Sequence, residues 1–483
     1  MNTEITLPGP ELKTALSGLN KVAGRNPYLP VLNCIKISRQ KNGLVTLQGT
    51  DLDTFATYHL ESNQPGEPVE LLVPMEQLNQ AFKANTSKQD MQLVCDGTQT
   101  RLRYRLGGCP LNLPVNTLPV DEWPPAPTIT ADSSPLPPGF GEALKQAMQC
   151  RGEDQSRQVL RGACLDARDA KAHYVVGTNG QFLYSANSFH FPLKDAIIVP
   201  DSKFISGSGL LDDEPCSLAV QPGKKPSEVR HICLQNQQWQ FVTREIEGQY
   251  PNWKQAVPTI NRSWTLVKLS PPAMEQLLKV IPNLPGHDGK HNTIKLRMGP
   301  NALWIEGRNK DDADWTKLAV EGVTSTGKAK EIAVNRDYLL PALKFGLNEL
   351  HILDELSPMV CSKDGKRIVI MPVNLKGPPP AKPATPAPQT SSTTTPQPEA
   401  EAQPERKPDM ARTAAKPEAP KPAVQPPSLI DQVEQIKDTL KNVVRDLNLV
   451  VDAVKAVEKD QRVSEKEVEA ARATLRKLQQ VTI

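Results

Sequence analysis

Leu71-Leu-Val-Pro74, Ile197-Ile-Val-Pro200 and Ile332-Ala-Val-Asn335 are three versions of one event. In each, a short apolar run ends in Pro or Asn and a helical pattern follows. The run suits a buried strand, and the residue that ends it suits a helix start. The helices that follow carry Leu78, Ala81 and Phe82 in the first case, Phe204 in the second, and Tyr338, Leu339, Ala342 and Leu343 in the third. A second helix pattern opens each unit, at Pro10 to Arg25, Pro138 to Arg151 and Pro271 to Pro282. A third echo closes two units, LPVDEWPPAP at 118–127 and GQYPNWKQAVP at 248–258. Three kinds of echo in one order mark an internal repeat. Between them lie β-rich runs such as Gly43 to Gly49, Met91 to Cys95, Ala172 to Gly177 and Asn301 to Gly307. The fold class that follows is α+β: three repeated units at 1–130, 131–258 and 259–376, each with two helices packed on antiparallel sheets.

Beyond residue 376 the composition changes. Of the 46 prolines in the 483 residues, 15 fall between Gly377 and Ser428, a stretch with no aromatic residue. Such a segment cannot bury enough apolar surface to offset the entropy of ordering, so 377–428 reads as a disordered, extended linker. From Leu429 the apolar spacing becomes four-three: Val433, Ile436, Leu440, Val443, Leu447, Val450, Val454 and Val457. This heptad seam over 429–480 suits one long coiled coil, or a helical hairpin whose second helix starts at the capping box Ser464-Glu465-Lys466-Glu467. A lone amphipathic helix docking on the body is the simpler alternative.

Several function classes find no support. There is no run of about 18 apolar residues to span a membrane, and the start MNTEITLPGP does not read as a secretory signal. The eight cysteines form no CxxC pair and sit in apolar contexts, which suits reduced, buried thiols in a cytosolic protein. No G-x-S-x-G, Walker loop or GxGxxG occurs. His287 and His291 lie four apart in a loop-like stretch, so helical metal-ligand spacing does not apply. Two carboxylate groups remain, Gly49-Thr-Asp-Leu-Asp53 and the run Asp311, Asp312 and Asp314. Both read first as turns, the former of Asx type. An enzyme using these carboxylates with a metal is the competing reading.

The net charge of +3 excludes a bulk polycation but allows a local positive face. Every candidate helix carries a cation: Lys13 and Lys21, then Lys83, then Lys145 and Arg151, then Lys203, Lys279, and Arg336 with Lys344. Surface helices carry lysine anyway, so the pattern gains meaning only if six helices share one face. Such a wall, doubled in a dimer, would hold phosphates by charge without reading bases.

Seven segments together resemble the bacterial sliding clamp, the β subunit of DNA polymerase III. They are RNPYLPVLNCIKI at 25–37, GTDLD at 49–53, SRQVLRGACLD at 156–166, TNGQFL at 178–183, EGQYPNWKQAVP at 247–258, IAVNRDYLLPALK at 332–344 and IVIMPVNL at 368–375. The resemblance covers about residues 1–376. It implies a non-catalytic, head-to-tail homodimeric ring that encircles duplex DNA irrespective of sequence, with helices lining the channel, and no cofactor or metal. It also implies a clamp loader that opens the ring, a tethered DNA polymerase III catalytic subunit, other proteins with clamp-binding motifs, and a cytoplasmic, nucleoid-associated location.

By the same resemblance Arg25 is a DNA contact. A partner-peptide pocket between the second and third units takes segments with a Gln and an apolar end. Its matching positions are Arg157, Leu160, Thr178, Gly180, Phe182, Leu183, Pro251, Ala256, Val369, Ile370, Met371, Pro372 and Val373. Departures from the family pattern fall at Gln158, Val159, Asn179, Phe182, Ala256 and Asn374. The strand near Arg101 to Arg105 and the helix with Leu278 and Ile281 are the expected dimer contact. The linker and coiled coil are additions to the family's usual length. They read as a tethered interaction arm, with a clamp-like scaffold acting through that arm as the alternative function.

Overall fold

The computed structural model describes residues 3–375 except 24–27, 86–88, 98, 213–214, 224–228, 287–291 and 310–313. The expected linker and helical segment after residue 376 lie outside the described residues. One order of elements is used three times. The first module runs β1 (Thr3–Leu7), α1 (Gly9–Leu19), β2 (Cys34–Arg39), β3 (Val45–Thr50), β4 (Thr54–His59), β5 (Val69–Pro74), α2 (Met75–Ala84), β6 (Met91–Cys95), β7 (Thr100–Leu106) and β8 (Cys109–Val115). The second runs β9 (Ser134–Pro135), α3 (Phe140–Gln149), β10 (Gly162–Asp166), β11 (His173–Thr178), β12 (Phe182–Phe189), β13 (Ile197–Pro200), α4 (Lys203–Gly207), β14 (Ser217–Gln221), β15 (His231–Gln235) and β16 (Trp239–Arg244). The third runs β17 (Thr265–Leu269), α5 (Pro271–Val280), β18 (Thr293–Gly299), β19 (Ala302–Gly307), β20 (Thr316–Val320), an added β21 (Val323–Thr326), β22 (Lys330–Asn335), α6 (Arg336–Lys344), β23 (Glu349–Ile352), β24 (Met359–Lys363) and β25 (Lys366–Ile370).

The three strand-to-helix echoes fall where β5, β13 and β22 end. At the last of them the Asn335 side chain accepts a hydrogen bond from Asp337 N at 2.8 Å, satisfying one of the backbone donors that a helix start leaves open. The opening helices are shorter than their patterns suggest. α1 stops at Leu19, and α5 passes into a 3-10 turn at Ile281–Asn283.

The repeat extends to single hydrogen bonds. In the β3–β4 turn Thr50 Oγ1 donates to Thr54 O at 2.7 Å, Leu52 N donates to Thr50 Oγ1 at 3.0 Å, and Thr54 N donates to Asp51 Oδ1 at 2.8 Å. In the β11–β12 turn Thr178 Oγ1, Gly180 N and Phe182 N make the same three bonds at 2.6, 3.0 and 3.0 Å, with Asn179 in the place of Asp51. GTDLD is therefore an Asx-type turn. The turn needs a left-handed residue, which Gly180 supplies at φ 90° and Leu52 adopts with strain at φ 85°.

Modules join by strand pairing. β4 pairs with β16 and β12 pairs with β25, both antiparallel. This fuses half-sheets into an eight-stranded sheet, β5-β2-β3-β4-β16-β15-β14-β9, and a nine-stranded sheet, β13-β10-β11-β12-β25-β24-β23-β17-β21. Two four-stranded sheets remain at the ends, β1-β6-β7-β8 and β20-β19-β18-β22. In the repeat, β20 corresponds to β4 and β12, and β8 corresponds to β16 and β25. So the two strands that would continue the pattern, β20 and β8, are left as edges. Of the expected contact, Arg101 to Arg105 lie on β7, one strand in from the β8 edge, Leu278 is half-buried and Ile281 is fully buried.

Helices from neighbouring modules share one face of each fused sheet. α1 and α4 meet over Trp239 of β16: a Cβ on Gly18 would lie 2.5 Å from the Trp239 ring and 3.2 Å from the Phe204 ring. Tyr184 of β12 plays the same part at the second junction. Its hydroxyl donates to Gln146 of α3 at 2.7 Å, and its ring meets Phe345 after α6 edge-on. One apolar cluster runs along this helix side through all three modules. The eight cysteines are unpaired and six of them are buried.

Candidate functional site

The helix side carries the expected cations unequally. Lys13, Lys83, Lys203, Lys279 and Lys344 are exposed on helices whose other faces pack on the sheets. Lys21 donates to Gly207 O at 2.5 Å, tying α1 to α4. Lys145 pairs with Asp212, and Arg151 pairs with Asp201 at 2.7 Å. Arg336 departs from expectation. It is 1% exposed, and its guanidinium donates to the carbonyls of Ile281, Leu284, Pro285 and Asn292. A group enclosed in this way cannot meet a phosphate; it fastens the start of α6 to the chain after α5. Arg25 lies outside the described residues, as do His287, His291, Asp311 and Asp312. Among the described residues no group of three His, Cys, Asp or Glu is placed to hold a metal.

The expected peptide pocket divides by strand alternation. Along β12 and β25, Leu183 and Val369 point to the outer side, where they join Leu160, Val176, Tyr250 and Trp253 in a separate apolar cluster. Phe182 and Ile370, a directly facing pair, point to the helix-side cluster instead, so both lie away from the outer cluster. Beside the outer cluster lies an open groove of about 610 Å³, lined by residues 155–160 and Pro251. Arg157 and Pro251 are exposed in its lining; of the other expected positions Gly180, Ala256 and Met371 are exposed and Pro372 is half-buried. Arg157 leans over the glycine of the turn, 3.3 Å from where a Cβ of Gly180 would be. Thr178 is buried and spends its hydroxyl on the turn. Val373 also departs: its N–H bonds Ala333 O at 2.8 Å, and it lines a separate cavity of about 140 Å³ with Lys295, Glu331 and Leu356.

Two linkages here were not expected. Phe182 stacks on Tyr338 of α6, ring centroids 4.5 Å apart, while the Tyr338 hydroxyl donates to Gln181. Met371 N also bonds Gln181 O at 3.0 Å, so the groove's rim is held from the third module. Tyr338 was legible only as a helix residue, because its partner lies 156 positions away along the chain from Phe182. The second linkage pins the segment that crosses between modules. Trp253 Nε1 donates to Asp166 Oδ2 at 2.8 Å, and Arg168 binds the same carboxylate with two nitrogens at 2.8 and 2.7 Å. Burial works to raise the Asp166 pKa, but the bonds from Arg168 and Trp253 outweigh it and hold the group at about 2. The carboxylate's contribution to stability is therefore present above about pH 4 and is lost as pH falls through about 2. Melting curves of wild type and Asp166→Asn should differ at pH 6 and converge between pH 4 and 2; a constant gap would contradict this.

Three modules joined edge to edge, with paired helices on one face and sheets on the other, define a clamp-type chain. Residues 3–127 match the family model described as DNA polymerase III beta subunit, N-terminal domain. The beta sliding clamp of Pseudomonas putida is 24% identical over 379 residues, 74% of this chain and 97% of the relative. That of Salmonella typhimurium is 21% identical over 77% of this chain and its whole length. Among solved structures, a Pseudomonas aeruginosa sliding clamp superposes with a TM-score of 0.65 at 20% identity, over 78% of this chain and all of that one. The Thermotoga maritima DNA polymerase III beta subunit does so with a TM-score of 0.63 at 17% identity, over 78% of this chain and all of that one. The first module thus matches the beta-subunit N-terminal domain, and the body as a whole has the sliding clamp fold. No helix among the described residues is long and apolar enough to cross a membrane.

Proposed function

We propose that this chain is a DNA sliding clamp, a non-catalytic processivity subunit that closes a ring around duplex DNA with a second copy of itself. The observation that carries this is the unfinished repeat. Each module pairs its β4-type strand with the next module's β8-type strand, and β20 and β8 are the members left over. Pairing them across two copies makes six modules in a closed cycle, with helix pairs inward. Closure converts binding into topology, so the ring slides while its passengers stay at high effective concentration.

The module limits near 130 and 258 follow from the two crossing segments. The groove at Leu160, Leu183, Pro251 and Met371 takes extended peptides with an apolar end. Its partners are the DNA polymerase III catalytic subunit, the clamp loader and other proteins with such motifs, at the nucleoid. The segment after residue 376 acts as a tethered arm that recruits a further partner. The alternative of a scaffold working through that arm has no observation in its favour among the described residues.

Two measurements test the proposal. Loaded chain should remain on nicked circular plasmid at high salt and leave when the plasmid is linearised; equal retention on both forms would refute a ring. Leu183→Glu puts a charge among apolar groups and should weaken binding of a Gln-containing pentapeptide by at least about tenfold, leaving circle retention unchanged. Undiminished peptide binding would remove the groove from the proposal.

A further inference from the structure

The open edge of β8 carries two prolines, Pro110 and Pro114. In the register with β7, Leu102 faces Leu113 and Tyr104 faces Leu111, whereas Pro110, Asn112 and Pro114 face Arg105, Arg103 and Arg101. Antiparallel pairs alternate between bonded and non-bonded; in the β6–β7 turn Asp96 N bonds Gln99 O at 3.2 Å, so two and four residues on, Arg101 and Arg103 bond toward β6. Residues 110, 112 and 114 therefore direct their backbone groups outward. A strand with ordinary residues would offer three N–H donors there. This one offers only that of Asn112, because proline has none. The corresponding strands β16 and β25, which make the junctions inside the chain, contain no proline. The opposing edge, β20, holds an exposed lysine, Lys317. Proline and lysine are the residues that weaken edge-to-edge pairing.

We infer that Pro110 and Pro114 make the β8–β20 seam between copies weaker than the corresponding junctions within the chain, and so set how readily it parts. This rests on the ring reading above. Two donors are missing at each seam, and the β20 carbonyls opposite them must turn to water. Each absent bond is worth a factor of about two to ten in association.

The test uses the full chain, the double variant Pro110→Thr/Pro114→Thr, and Asn112→Pro, which removes the last donor. Thermal melts check that each variant is folded. Sedimentation velocity from nanomolar to micromolar concentrations gives the dimer dissociation constant. The half-life on nicked circular plasmid reports the seam itself, a quantity that association through the C-terminal segment cannot mimic. The double variant should associate about four- to a hundredfold more tightly and stay on the circle correspondingly longer, and Asn112→Pro should associate about two- to tenfold more weakly. An unchanged half-life in the double variant overturns the inference while leaving the ring intact. If no form is retained on circular over linear DNA, the ring reading fails and this inference falls with it.

Discussion

Replacing Arg336 by leucine should lower the unfolding free energy of the body by about 3–5 kcal/mol, read as a shift in urea midpoint. Among the described residues the guanidinium is the largest charged group in the interior, and it donates to four backbone carbonyls. Removing it leaves the carbonyls of Ile281, Leu284, Pro285 and Asn292 without a donor, at about 1–3 kcal/mol for each that water cannot reach. Gly286 lies against the same group, with φ 100° and a Cβ position 3.2 Å from Nη2, so a side chain at 286 would displace the guanidinium. Arg336→Lys should recover only part of the loss, because an ammonium is a point donor and cannot span carbonyls that a planar fork reaches together. A leucine variant within about 1 kcal/mol of wild type would show that these bonds are replaceable by solvent.

Arg336 also marks where sequence reading reaches its limit. The echoes that announce α2, α4 and α6 are local, since each depends on a strand's apolar run and the residue that ends it. They survive in the sequence because the same backbone event needs the same residue types. The shared turn is legible for the same reason: Thr50 and Asp51, and Thr178 and Asn179, are bonded within four residues. What a cation on a helix faces is not local. Arg336 and Lys344 sit on one short helix, yet one is enclosed by carbonyls more than 40 positions away and the other is exposed. The same holds for the groove. Leu183 and Ile370 are equally apolar, and only the pairing of β12 with β25 sends them to opposite faces of the sheet.

Charge removal on the helix side should have the largest effect on DNA. Lys13, Lys83, Lys203, Lys279 and Lys344 are the exposed members of the set, whereas Lys145 and Arg151 already face Asp212 and Asp201. Converting the five lysines to alanine should reduce the slope of log affinity against log salt by up to about 0.9 for each lysine that touches a phosphate. At low salt that amounts to a loss of about a hundredfold or more in affinity for linear duplex. The paired residues Lys145 and Arg151 should each contribute less, because a phosphate must first displace a carboxylate. Arg336→Lys should leave the salt slope where it was, since no phosphate can reach that position. Titrations of a labelled duplex between 50 and 200 mM salt separate these cases. If the five-lysine variant kept the wild-type slope, the channel would have to be elsewhere. The same result in a variant still retained on circular plasmid would mean that closure alone, without attraction, holds the DNA.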